Sequence, residues 1–139
     1  MAVTDPVTGF CSARYFLLLM NQKLRSRESL SFAALRVANY TRLTIQMEFE
    51  QGGSLMGLLA GRLKARAEKH FKRFILSRLY GDTLAIAVEG ASKEETESFL
   101  APLAGRIDGL DGDLGEKDLE VSLQGCVIHK GKALAAGVP

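Results

Sequence analysis

Residues 77–88 read SRLYGDTLAIAV. A polar "YGD" turn runs straight into the apolar residues Leu84 to Val88. This pattern predicts a β-hairpin, with a first strand near "FILSRL" and a second over Thr83 to Val88. Asp82 then has two readings. It is either a carboxylate presented at a strand end for chemistry, or one half of a plain turn, for which Gly81 and Asp82 are well suited.

Outward from the hairpin, helices and strands alternate. Upstream, "QGGSLMGLLAGRLKARAEKHFKRFIL" (51–76) predicts the clearest helix, with Leu55, Leu59 and Leu63 at four-residue spacing, Leu58 beside them, and Phe71 and Phe74 further on. "SLSFAALRVANY" (29–40) is small, β-branched and apolar, and predicts a buried strand. "ARYFLLLMNQKLRSR" (13–27) predicts a helix whose basic end suits the helix dipole. Downstream, Ser92 and Glu95 match a capping box. The helix they open carries Phe99, Leu100, Leu103 and Ile107 on one face. "DGLDGDLGEKD" (108–118) is a polar loop, and "LEVSLQGCVIH" (119–129) a last strand with Leu119, Val121 and Leu123 alternating. The order α-β-α-β-β-α-β predicts a sheet covered by helices in one domain over residues 1–139.

Composition fits a soluble globular domain: 139 residues, 47% hydrophobic, 24% charged and a formal charge of +2. That charge gives no strong pull toward nucleic acid or membrane. The sequence from Arg62 to Arg78 holds seven Lys/Arg and one acid, whereas Glu89 to Glu120 holds ten acids and three Lys/Arg. These are either two solvated faces of opposite sign or a docking surface for a partner. Cys11 and Cys126 have no metal spacing, which points to a reducing cytoplasm. "YFLLLM" is too short to span a bilayer.

Several motifs fall short. Gly52 to Gly57 have the spacing of a phosphate loop, but Leu58 and Leu59 replace its Lys-Ser/Thr. Gly53, Gly57 and Gly61 share a helix face, read as close packing against the sheet. "DGDLGE" (111–116) places Glu116 where a calcium loop needs Gly, so it reads as a solvated turn. His70 and His129 have no ligand partners at helical or hairpin spacing. No Ser/His/Asp or Cys/His arrangement stands out, and no cofactor or metal is expected.

The first segment, "DPVTGFCSARYF" (5–16), resembles the opening of the GGDEF (diguanylate cyclase) family, Asp-x-Leu-Thr-Gly-Leu-x-Asn-Arg-Arg-x-Phe. Asp5, Thr8, Gly9, Arg14 and Phe16 match; Ser12 and Ala13 replace the Asn-Arg pair. The later elements follow the family's order over nearly the whole chain, and "RLYGDTL" stands where Arg-Tyr-Gly-Gly-Asp-Glu-Phe belongs. The family's last helix, Ala-Asp-x-Ala-Leu-Tyr, has no match before Pro139, so the chain is expected to be a piece of a longer protein. The resemblance implies an α/β fold, an α+β sandwich whose central, mostly antiparallel sheet is flanked by helices in the nucleotidyl-cyclase manner.

Intact members of the family condense two GTP molecules, each held with Mg²⁺, into cyclic di-GMP. The resemblance implies that this equipment is degenerate here. Arg36 stands at the metal-binding Asp and Ala38 at the second Asp of the first strand. Thr44 and Gly53 stand at the guanine-recognising Asn and its companion Asp. In the signature, Tyr80 replaces the first Gly, Gly81 and Asp82 are kept, Thr83 replaces the metal-binding Glu, and Leu84 replaces Phe. Phe71 and Phe74 occupy the charged ends of the inhibitory Arg-x-x-Asp site. Asp82 then reads as part of a hairpin that kept its turn and lost its chemistry.

The expectation is an inactive GGDEF domain that regulates or docks in bacterial cyclic di-GMP signalling. Its implied setting is the cytoplasmic part of an inner-membrane receptor. Its implied partner is an EAL domain of the same chain, another protein or a second copy, without nucleic acid and without membrane insertion by this segment. The alternative is a GTP-sensing domain attached to a phosphodiesterase.

Overall fold

The computed structural model describes residues 3–25, 29–103, 105–107 and 121–130. The side chains of residues 44, 46–54, 105–107, 121 and 130 are outside that description. The elements are β1 (Cys11–Ser12), α1 (Ala13–Lys23), β2 (Leu30–Val37), α2 (Tyr40–His70), β3 (Phe74–Tyr80), β4 (Thr83–Glu89), α3 (Lys93–Leu100), a 3₁₀ turn (Ala101–Leu103), β5 (Gly105–Ile107) and β6 (Val121–Lys130). Among the described residues, six strands form one sheet in the order β1-β3-β4-β2-β6-β5. Among these described strands, only the β1–β3 pair is parallel; the other four pairings are antiparallel.

Strand alternation sorts the side chains into two layers. Ala33, Leu35 and Val37 of β2, Leu84, Ile86 and Val88 of β4, and Leu123 of β6 point to one face. They pack under Leu43, Leu55, Met56, Leu59 and Leu63 of α2 and Phe99 and Leu100 of α3. Leu30 of β2 and Ala85 and Ala87 of β4 point to the other face, under Phe16 and Met20 of α1. β4 is apolar on both faces because both are covered: Thr83 to Val88 are all buried.

The expected order holds with two unexpected short strands added, β1 and β5, and with corrections at the boundaries. The strand expected to reach Tyr40 stops at Val37, and α2 begins at Tyr40, well before the expected Gln51. It runs unbroken through Gly52 and Gly53, because burial of Leu43 at one end and of Leu55, Leu59 and Leu63 at the other holds one helix on the sheet. It ends at His70, so Phe71 to Leu76 are not helical. Ile107 lies in β5 and Leu103 in the 3₁₀ turn, so neither extends α3. Gly57 approaches the Val7 carbonyl, and Gly61 is exposed, so neither packs against the sheet as expected. The expected loop at 108–118, with its calcium-like "DGDLGE", and Leu119 lie outside the described residues.

Local signals explain the ends of two helices. Ser12 caps α1, its Oγ accepting from Tyr15 N at 3.3 Å. Ser92 caps α3, accepting from Glu95 N at 3.0 Å, as the capping box predicts.

Candidate functional site

The hairpin turn ends in an open cleft of about 490 Å³, lined by Arg36, Tyr80, Asp82, Thr83, Gln124 and Cys126 over a floor of Ala34 and Gly125. Strand register builds it. Arg36 lies opposite Thr83 on β4 and opposite Gln124 on β6, so all three share the sheet face that α1 covers farther along. Arg36 is exposed, and its guanidinium donates to Gln124 Oε1 at 2.8 Å. Thr83 is buried, and its hydroxyl donates to Asp82 Oδ1 at 2.9 Å.

The turn is tied into the sheet by its backbone. Val37 N donates to the Asp82 carbonyl at 2.9 Å, and Ala38 N to the Ser122 carbonyl at 2.8 Å. Ser122 N in turn donates to Asn39 Oδ1 at 3.2 Å. Arg78 donates to the Gly81 carbonyl from two nitrogens, at 2.8 and 3.3 Å. The same guanidinium reaches Asp5 Oδ2 at 3.4 Å.

Asp5 also accepts from Thr8 N at 2.9 Å and Thr8 Oγ1 at 2.8 Å. Burial pushes the Asp5 carboxyl up, but the Thr8 bonds and the Arg78 charge outweigh it and hold it below the usual carboxylate range. Gly9 follows at φ +75°, where a side chain is strained. The opening "DPVTG" is therefore a folded loop clasped to the hairpin through Arg78. The sequence reading left out Arg78 and Gln124. The arginine was visible inside "RLYGD", whereas Gln124 is identified only by strand register.

The remaining predicted positions separate. Leu84 turns away from the cleft and is 1% exposed in the main core. Tyr80 is 72% exposed at the cleft margin, closing the turn opposite Thr83. Ala38 is exposed in the turn between β2 and α2. Thr44 and Gly53 lie on α2, and their side chains are outside the described residues. Phe71 and Phe74 sit at the other end of the hairpin, about 17 Å away by strand rise; both are half-buried against the main core, and the rings of Phe71 and Phe99 lie 4.8 Å apart.

A divalent metal that binds nucleotide needs several hard oxygen ligands. The cleft offers the Asp82 carboxylate and the Thr83 hydroxyl, which are bonded to each other, and sets the Arg36 cation beside them. This donor set does not fit the metal. Among the described residues, no three His, Cys, Asp or Glu side chains converge on a metal position. Cys11 and Cys126 are free thiols, and burial pushes the Cys11 thiol up. No described helix is long and apolar enough to cross a membrane.

No protein-family model matches the sequence, and no curated protein does. Solved structures match its fold. The FimX GGDEF domain from Pseudomonas aeruginosa is 22% identical with a TM-score of 0.76, over 97% of this chain and 84% of that one. The GGDEF domain of DgcB from Caulobacter crescentus, in complex with c-di-GMP, is 11% identical with a TM-score of 0.70, over 95% of this chain and 80% of that one. Vibrio cholerae LapD, an S helix-GGDEF-EAL structure bound to c-di-GMP, is 18% identical with a TM-score of 0.70, over 96% of this chain and 30% of that one. These likenesses show that this chain has the fold of a GGDEF domain.

Proposed function

We propose that this chain is a GGDEF domain without cyclase activity that serves as a regulatory or interaction module in cyclic di-GMP signalling. The observation that carries this reading is the position of Arg36, opposite Thr83 and hydrogen-bonded to Gln124. Phosphoryl transfer from GTP depends on metal-assisted charge neutralisation and positioning. A guanidinium where that chemistry requires a carboxylate repels the metal. Thr83 offers a neutral hydroxyl already spent on Asp82. What the cleft's residues do is structural: Arg78 and the Val37 amide fix the turn, and Gln124 orients Arg36.

The LapD likeness supports a setting beside an EAL domain of the same chain. The proposed place in the cytoplasmic part of an inner-membrane protein rests on the sequence resemblance alone. Product recognition is lost in the same way. Phe71 and Phe74 supply apolar rings where Arg-phosphate contacts would be needed.

Two measurements test the proposal. Incubation with GTP and Mg²⁺ is expected to yield no cyclic di-GMP, and calorimetry with millimolar GTP no saturable heat. Turnover would overturn the proposal. Micromolar GTP binding without turnover would replace it with a GTP-sensing domain.

A further inference from the structure

A second groove, of about 400 Å³, is lined by His70, Phe71, Glu94, Glu95, Ser98 and Phe99. Its floor is aromatic. The Phe71 and Phe99 rings lie 4.8 Å apart, and His70 meets Phe99 edge-on at 5.6 Å. Phe99 is buried, Phe71 half-buried and His70 exposed, so the rings step from the core to the surface. The open wall is acidic. Glu94, Glu95 and Ser98 are exposed on α3, with Glu94 and Ser98 one helical turn apart. Among the described residues neither glutamate side chain makes an ion pair or a hydrogen bond. Glu97 differs: it pairs with Lys93 at 3.7 Å, and both line a separate groove.

No Lys or Arg lines the groove. It therefore joins uncompensated negative charge to aromatic surface. That combination suits a guanidinium, which is flat and weakly hydrated, stacks on rings and bonds carboxylates through a fixed fork of donors. The protein makes such a contact once already, from beneath. Arg66 holds its guanidinium 5.3 Å from the Phe99 ring centre, and its Nε donates to the Phe99 carbonyl at 3.0 Å. Phe71 and His70, on the open side, carry no cation among the described residues.

We infer that this groove takes an arginine side chain of a partner protein, its guanidinium against Phe71 and His70 and bonded to Glu94 and Glu95. Charge complementarity chooses the occupant, since a lining with two carboxylates and no base attracts a cationic segment. The cleft near Arg36 takes no part, so the inference goes beyond the proposed loss of catalysis and is tested separately from it.

The probe is the blocked tripeptide Gly-Arg-Gly, titrated into the isotope-labelled full chain and followed by amide NMR shifts. The amides of Phe71, Glu94, Glu95 and Ser98 should move along saturating curves at millimolar peptide, and salt should weaken binding. The same peptide with citrulline, which keeps the shape and loses the charge, should bind at least about fivefold more weakly. The double variant Glu94→Gln, Glu95→Gln should bind Gly-Arg-Gly about fivefold more weakly, and Phe71→Leu about threefold. Glu97→Gln, outside the groove, should bind as the wild type does. The amide spectrum of each variant checks that it folds. Amides that stay still, or that move equally with citrulline, overturn the inference. So does a double variant that binds the peptide as well as the wild type. Sedimentation of the chain alone covers the other occupant: a dimer that the double variant loses would put a second copy in the groove and overturn the inference too.

Discussion

Arg36 and Thr83 face each other across β2 and β4, in the register that also places Gln124 beside Arg36. Thr83→Glu alone is therefore expected to leave the protein without cyclase activity. A unit charge and a dication about 4 Å apart repel by roughly 8 kcal/mol at an effective dielectric of about 20. Exposure of Arg36 lowers this severalfold, yet a quarter of it still exceeds a tenfold loss in metal affinity. Repair should need Arg36→Asp with Thr83→Glu at least, then Tyr80→Gly and Thr44→Asn. Cyclic di-GMP formation by each variant is the readout. Clear turnover by Thr83→Glu alone would remove Arg36 from the metal position.

Gly81→Ala should leave the hairpin intact. Gly81 has no positive φ, and an added Cβ meets nothing within 4 Å. Restricting the unfolded chain should stabilise the protein by about 0.4–1 kcal/mol, seen as a rise in melting temperature. A marked fall would show that the turn needs glycine.

Arg78→Ala releases both the Gly81 carbonyl and Asp5. A loss of about 1–3 kcal/mol is expected in denaturant unfolding. Asp5 also makes the clasp sensitive to acid. Its carboxyl is held below the usual carboxylate value in the folded protein. The stability it contributes is therefore complete above that value and lost as pH falls through the lower folded value. Asp5→Asn should flatten this acid limb of the stability profile. An unchanged limb would place the acid sensitivity elsewhere.

Restoring the inhibitory charges with Phe71→Arg and Phe74→Asp should destabilise the fold. Both rings pack against the main core, and truncation of large apolar side chains there costs about 2–5 kcal/mol. The expected result is a melting temperature many degrees lower. A variant as stable as the wild type would mean that the rings contribute little packing.

The legible parts of the sequence were those with local chemistry. Asp5, Thr8 and Gly9 specify a loop by hydrogen bonds and a left-handed backbone, and Ser92 with Glu95 specify a helix start. The entry to α2 carried no such mark, since Asn39 makes no side-chain capping bond. The expected helix therefore started late, at Gln51, although burial of Leu43 and Leu55 on either side of that point holds one continuous helix. Phe99, Leu100, Leu103 and Ile107 have helical spacing, but the chain passes through a 3₁₀ turn into a strand of three residues, too short to show a period. At the candidate site, family resemblance identified Arg36 and Thr83. Gln124 came from pairing between strands distant in sequence, which no local pattern encodes.

The strand order has one more consequence, for behaviour at high concentration. The long strands β2 and β4 lie inside the sheet, and its two borders are β1, with two residues, and β5, with three. Unpaired amides on a long, flat border invite strand addition by a neighbouring chain and growth into fibres. β5 pairs with β6 only at Val121 to Leu123, so among the described residues the outer edge of β6 from Gln124 to Lys130 has no strand beside it. Crowded copies of this domain should therefore share backbone ladders there rather than at β1 or β5.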